Sequence, residues 1–220
     1  MWPAREALSA FMVTSPNRQK IFVTIFLGTL WIFSLGLGLR SLFSYETRPG
    51  PAGNSPESWP VDSKITLSSE QYTLVMLAHP RCPCTRASIG ELANVMAKSL
   101  GKIHAYVLLL KPTTSPGDWT DTELRRSAAA IPGVTVVLDQ DGLEAKRFGA
   151  ITSGHTLLFD LHGRRIFNGG ITASRGHAGE NAGENAILAL VANDKPLTST
   201  TLVFGCPLTS DKQCDNSMHR

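Results

Sequence analysis

The sequence predicts an α/β fold: a mixed central sheet with a C-terminal β-hairpin and flanking helices, preceded by one N-terminal transmembrane helix. Strand and helix patterns alternate over residues 65–195 and close in a hairpin, the order of a mixed sheet covered by helices. Residues 21–39, IFVTIFLGTLWIFSLGLGL, contain no charge. At about 1.5 Å per residue, such a run crosses a hydrocarbon core of roughly 30 Å. Two cysteines, Cys82 and Cys84, stand where an apolar strand gives way to a helical pattern.

Tyr72–Ala78 is an apolar run of strand length. Behind the cysteines, Ile89, Leu92, Ala93, Met96, Ala97 and Leu100 recur at spacings of three and four, one face of a helix that Gly101 stops. His104–Lys111 reads as a second strand. Thr120 and Glu123 have capping-box spacing and open a helix reaching about Ala130, before Pro132-Gly133. Val134–Leu138 is a third strand, and a short helix follows around Leu143–Phe148. Thr156–Phe159 and Arg165–Phe167 flank the turn sequence Asp160-Leu-His-Gly163 and form the hairpin. Asn185–Val191 is the core of a last helix. No structural repeat is present; the doubled Ala-Gly-Glu-Asn at 178–185 is too short to be one.

The chain divides accordingly. Residues 1–20 are a cytoplasmic N-terminus, 21–39 the anchor, 40–64 a Pro/Gly/Ser-rich tether, 65–195 the domain and 196–220 a C-terminal tail. Arg5, Arg18 and Lys20 precede the apolar run, against Arg40 and Arg48 after it. The positive-inside rule therefore places the N-terminus in the cytoplasm and the domain outside, on the periplasmic face of a cell inner membrane. The run is longer than a usual signal-peptide core and no Ala-x-Ala site follows it, which favours an uncleaved single-pass anchor. Outside the cytoplasm, disulfide chemistry is permitted.

A net charge of +3 with scattered basic residues argues against a nucleic-acid partner. Four cysteines in 220 residues are too few for a disulfide-built scaffold. They fall as a close pair, Cys82 and Cys84, and a looser pair, Cys206 and Cys214.

A thiol at the first turn of a helix meets unpaired backbone N–H groups and the positive end of the helix dipole, which favour its thiolate. With Cys82 as N-cap, Pro83 takes N1, where its missing N–H costs nothing. Cys84 is then N2, turned partly inward. Cys82 is expected to be the more exposed sulfur and the nucleophile, with Cys84 resolving the mixed disulfide. A Cys-x-Cys disulfide closes a small ring; strain there would suit an oxidant or isomerase, although tether and partners set the actual direction of electron flow. Arg81 and His79 flank the pair, and positive charge beside Cys82 would further favour its thiolate. The plain alternative is that both are solvent-facing loop residues.

Three stretches resemble the thioredoxin fold, and more narrowly the membrane-tethered periplasmic thioredoxins of the TlpA and ResA type and the thioredoxin-like proteins annotated RedB. They are CysProCysThrArgAla at 82–87, ValValLeuAspGlnAspGly at 136–142 with AlaLysArgPheGlyAla at 145–150, and ThrLeuLeuPheAspLeuHisGlyArgArgIle at 156–166. The resemblance covers about residues 67–193. It implies thiol–disulfide exchange on exported proteins carrying thiols or disulfides, with no cofactor and with a membrane redox partner to recharge the pair. The family usually has Cys-x-x-Cys, and here one intervening residue is missing. It also carries a cis-proline before the hairpin strand that helps seat the partner chain; here that place falls to His155 or Gly154, depending on the residue from which one counts.

The same resemblance supplies a rival. Sco-type copper chaperones place two cysteines and a histidine in this region, and two thiolates with an imidazole suit Cu(I), so Cys82, Cys84 and His155 form an alternative copper set. A redox-silent binding module is a third reading. Peroxide reduction fits less well, because Arg81 holds the place of the Thr in a peroxidatic motif. In this fold the Gly-rich connection at 169–179 ends near the cysteines, making Arg175 and His177 groove candidates; a plain mobile loop is the alternative. RedB-type proteins end in a Phe-Gly-Cys segment like Phe204-Gly-Cys206, which implies a role for Cys206 as a third thiol. Otherwise Cys206 and Cys214 bridge each other.

Overall fold

A computed structural model describes residues 16–51 and 53–208. The chain separates into two compact units, divided after Ser44. The first is most of a single helix, α1 (Pro16–Glu46), whose apolar side chains are exposed along its length. By length and composition this helix can cross a membrane. It contains the 21–39 run and continues past it, so residues 40–46 are helical rather than tether.

The second unit is built on β1 (Tyr72–Ala78), α2 (Pro83–Lys98), β2 (Ile103–Lys111), α3 (Glu123–Ala129), β3 (Val134–Gln140), α4 (Leu143–Arg147), β4 (His155–Phe159), β5 (Arg165–Gly169) and α5 (Ala182–Val191). The sheet order is β3-β2-β1-β4-β5. β1, β2 and β3 run parallel, β4 pairs antiparallel with β1, and β5 closes the hairpin. This is the thioredoxin-like architecture.

β1 and β4 are covered on both faces, so they read as continuous apolar runs without alternation. One face packs Leu74, Met76, Leu158 and Phe167 against Ile89, Leu92 and Val95 of α2 and Ile187 of α5. The other packs Val75, Leu77, Leu157 and Phe159 against Phe148, Ile65 and Leu208. Lys98 Nζ to the buried Glu184 carboxylate, 2.8 Å, ties α2 to α5. The cap of α3 is Thr122, which accepts from Arg125 N–H; Thr120, the cap that the capping-box spacing predicts, lies two residues too early and is buried before the helix.

Packing extends beyond 65–195 in both directions. Residues 57–65 lie along the hairpin and α4 instead of hanging free: Trp59 N–H donates to Gly163 O (2.7 Å), Arg165 N–H to Glu57 O (2.8 Å), and Ser63 Oγ to buried Glu144 (2.7 Å). Trp59 stands edge-on to Phe148 (5.2 Å between centroids) and to Phe159 (5.1 Å). One aromatic supplying that much contact overrides the Pro-rich composition of its segment. Trp59→Ala should cost roughly 2–4 kcal/mol in urea unfolding of the full chain, because it empties a site that Phe148 and Phe159 line.

At the other end, residues 199–208 form a strap across the domain. Asn168 N–H donates to Ser199 O (3.0 Å), Thr201 N–H to Asn168 O (3.2 Å), Ser153 N–H to Cys206 O (2.8 Å) and Leu208 N–H to Ile151 O (2.9 Å). The strap thus leaves the edge of β5 and crosses the loop before β4.

Candidate functional site

β1 ends at Ala78, and the loop 79–82 turns the chain into α2. Cys82 is the N-cap in an extended conformation (φ −87°, ψ 115°), Pro83 opens the helix, and Cys84 follows one position on. The helix begins here because proline at N1 has the right φ and no N–H to leave unpaired. Cys82 N–H donates back to His79 O (3.1 Å), and His79 N–H donates to Ser153 Oγ (2.8 Å). Ser153 Oγ also meets Thr85 Oγ1 at 2.6 Å. One buried hydroxyl therefore joins the end of β1, the first turn of α2 and the loop that carries the strap.

The strap changes the site. Cys206 Sγ lies 3.0 Å from Cys82 Sγ, and no disulfide joins Cys82, Cys84 and Cys206 among the described residues. Cys82 is only 2% exposed and Cys84 6%, so Cys82 is not the more exposed sulfur; Cys206 is the partly accessible one. The reason is steric: the strap's Phe204-Gly-Cys206 lies over the helix start.

The Cys82 thiol is held far below the ordinary thiol value. The Cys206 thiol donates to it, the Cys84 thiol does so next, and Thr85 and the backbone N–H of Cys206 add to these against the cost of burial. The Cys84 thiol is pushed up: although Cys206 pulls it down, its own donation to Cys82, its burial and the nearby Cys82 charge outweigh that. The arrangement is one thiolate stabilised by two thiol donors.

The sign for stability follows from linkage. A group whose folded value is depressed contributes stability that is fully present above its unfolded value and lost as pH falls toward the folded one. For Cys82 the reduced protein should gain stability with rising pH up to the ordinary thiol value of 9.0. Wild type minus Cys82→Ser, measured by denaturant midpoints, should rise by up to about 1.4 kcal/mol per pH unit across neutrality; a flat difference contradicts the assignment.

The other sequence candidates separate. Gly154 occupies the place facing α2. It adopts φ +87°, its N–H donates to Leu77 O at 2.7 Å, and a Cβ there would stand 2.9 Å from Ser88 Oγ. His155 does not face the thiols. It pairs with Leu77 and so projects to the sheet face of Leu77 and Leu157, opposite the face that α2 covers. Its Nε2 lies 2.6 Å from Asn168 Oδ1, and burial lowers its pKa. The Cys82–Cys84–His155 copper set is therefore not assembled. Among the described residues no group of three His, Cys, Asp or Glu side chains is arranged to hold a metal ion.

Arg81 is exposed with its guanidinium 3.9 Å over the Trp119 ring, and His79 stands edge-on to the same ring. Arg81 is thus held as a cation on an indole, and the causes that set the Cys82 thiolate lie elsewhere. Arg175 does reach the site: its guanidinium donates to Gly205 O (2.6 Å) and Arg48 O (3.0 Å), and its charge favours the Cys84 thiolate. His177 is exposed two residues further along the same loop. Cys214 lies outside the described residues. The sequence reading missed Ser153 and Thr85. Each is a single hydroxyl residue that no motif marks.

No protein-family model matches the sequence, and no curated protein sequence matches it. Solved structures do. A hypothetical protein from Sinorhizobium meliloti 1021 superposes with a TM-score of 0.55 at 15% identity, covering 75% of this chain and 96% of that one. An uncharacterized conserved protein from Geobacillus kaustophilus gives 0.55 at 15%, covering 76% and 96%. A secreted disulfide oxidoreductase from Mycobacterium tuberculosis gives 0.41 at 13%, covering 58% and 84%. At such identities the likeness is one of fold. The chain has a thioredoxin-like α/β fold, with an apolar N-terminal helix long enough to cross a membrane.

Proposed function

We propose that this chain is a membrane-tethered thiol–disulfide oxidoreductase whose domain faces the periplasm and whose Cys-Pro-Cys segment carries the exchange. The carrying observation is the position of Cys82 at the N-cap of α2 with Cys206 Sγ 3.0 Å from its sulfur, an environment that holds its thiol far below the ordinary value. A thiolate is the attacking species in exchange, and one formed at neutral pH reacts without prior deprotonation. Exported proteins bearing thiols or disulfides are the substrates, and a membrane redox protein recharges the site. The basic residues before the apolar run, Arg5, Arg18 and Lys20, support the orientation.

The test uses the full chain in detergent in two assays: reduction of insulin with dithiothreitol as electron donor, and reoxidation of reduced ribonuclease with oxidised glutathione as acceptor. Turnover of either that is lost in Cys82→Ser supports the reading, and which substrate turns over gives the direction. Absence of turnover with both, together with a tight one-to-one Cu(I) complex, favours copper delivery instead. The ligands would then differ from the Cys82, Cys84 and His155 set, because His155 is committed to Asn168 on the other sheet face.

A further inference from the structure

The exchange reading leaves the second sulfur open. Cys84 is one candidate, but joining it to Cys82 means closing a ring across Pro83, whose fixed φ stiffens the only intervening residue. Cys206 already sits 3.0 Å from Cys82 Sγ, and it arrives from a separate segment that can adjust. Its position is also built. Ser153 N–H holds the Cys206 carbonyl, Leu208 N–H holds Ile151 O, and Arg175 holds the Gly205 carbonyl. Gly205 runs so close to Ser153 O that a Cβ would overlap it at 1.9 Å. Backbone hydrogen bonds on both sides of the thiol fix it against the N-cap sulfur, so the contact is not a chance approach of a frayed tail.

We propose that Cys206 is the resolving thiol, and that the oxidised form of the site is a Cys82–Cys206 disulfide that staples the strap to the start of α2. The proposal rests on the exchange reading and sharpens it. The Cys82 thiolate attacks one sulfur of a substrate disulfide; that S–S bond breaks, the first substrate sulfur leaves and takes a proton, and Cys82 holds the second in a mixed disulfide. Cys206 gives up its proton to solvent or to the departed sulfur and attacks Cys82 Sγ. The Cys82–Cys206 bond forms, and the second substrate sulfur leaves and is protonated. Two protein thiols are oxidised and one substrate disulfide becomes two thiols; the reverse sequence oxidises a dithiol. Cys84 remains a thiol throughout and serves as a hydrogen-bond donor to Cys82.

The structure also places the strap where it must loosen for a partner to reach Cys82, because the strap occupies the backbone edge of residues 151–153. A substrate that displaces it moves Cys206 away until the mixed disulfide has formed, and return of the strap then resolves it.

The test is disulfide mapping of the full chain in detergent after reaction with oxidised glutathione, with alkylation of remaining thiols and tryptic digestion without reduction. The expected product joins the peptide Cys82–Arg86 to the peptide bearing Cys206, and Cys84→Ser leaves that product in place. In Cys206→Ser, glutathione should remain on Cys82, with release slowed at least tenfold. A bond between Cys82 and Cys84 with Cys206 alkylated overturns the proposal while leaving exchange intact, as does a bond between Cys206 and Cys214. If Cys82 takes up no glutathione in any variant, the exchange reading itself falls, and the resolving role with it.

Discussion

Cys82→Ser should abolish disulfide exchange, with a loss of at least ~10³-fold in the rate of substrate turnover. The expectation follows from the division of labour among the three sulfurs. Cys82 alone has its thiolate favoured by both neighbours, whereas Cys84 is pushed toward its thiol by the charge on Cys82. Serine matches the size of cysteine, so α2 still starts at Pro83 and the fold is retained, as circular dichroism will check. Removing Cys82 also removes the charge that suppresses ionisation of Cys84, so a small residual activity from Cys84 is compatible with this reading. Wild-type rates in Cys82→Ser would place the nucleophile elsewhere.

Gly205→Ala should release the strap. Its new methyl would sit 1.9 Å from Ser153 O, and the clash is with backbone, which cannot rotate away. The hydrogen bond from Ser153 N–H to Cys206 O is the first to go. Overpacking at such a point costs roughly 1–3 kcal/mol. The larger effect is on access: Cys82, 2% exposed beneath the strap, should react with a bulky maleimide at least ~10-fold faster, by the same logic that makes reactivity depend on exposure. Unchanged maleimide rates would mean that the strap does not govern entry. A parallel Gly154→Ala strains the other side of the same crossing, since Gly154 needs φ +87° and faces Ser88.

Much of this fold can be read from local pattern. β1 runs over Tyr72–Ala78 as its apolar run suggests, α2 starts at the proline after Cys82, and the hairpin closes around Asp160–Gly163. Each of these rests on neighbours within a few residues. The misreadings share another cause, dependence on contacts remote in sequence. Trp59 sits in a stretch with linker composition, and only Phe148 and Phe159 in place reveal it as core. The strap at 199–208 has no periodicity, since it pairs as single rungs and bridges with Asn168 and with residues 151–153, all remote in sequence.

The two loop candidates show how fine the distinction is. Gly154 and His155 are adjacent, and strand pleating sends adjacent positions to opposite faces, so one residue of register decides which meets α2. The sequence offered Cys206 only as a candidate third thiol; the geometry adds that it touches Cys82. For α3, two threonines compete as caps, and Thr122 wins because its hydroxyl reaches the Arg125 N–H.

Everything proposed for this chain depends on one ionisation state. The most direct measurement is the pH dependence of Cys82 alkylation by iodoacetamide in the reduced full chain, followed by mass spectrometry of the Cys82–Arg86 peptide in a Cys84→Ser background. That background removes one donor and keeps the Cys206 contact, the largest single cause of the shift. A rate that stays level from alkaline pH down to well below neutrality is the predicted result. A rate that climbs through the usual thiol range, with a midpoint near 8.5, would show an ordinary cysteine at the helix start and contradict the nucleophile assignment.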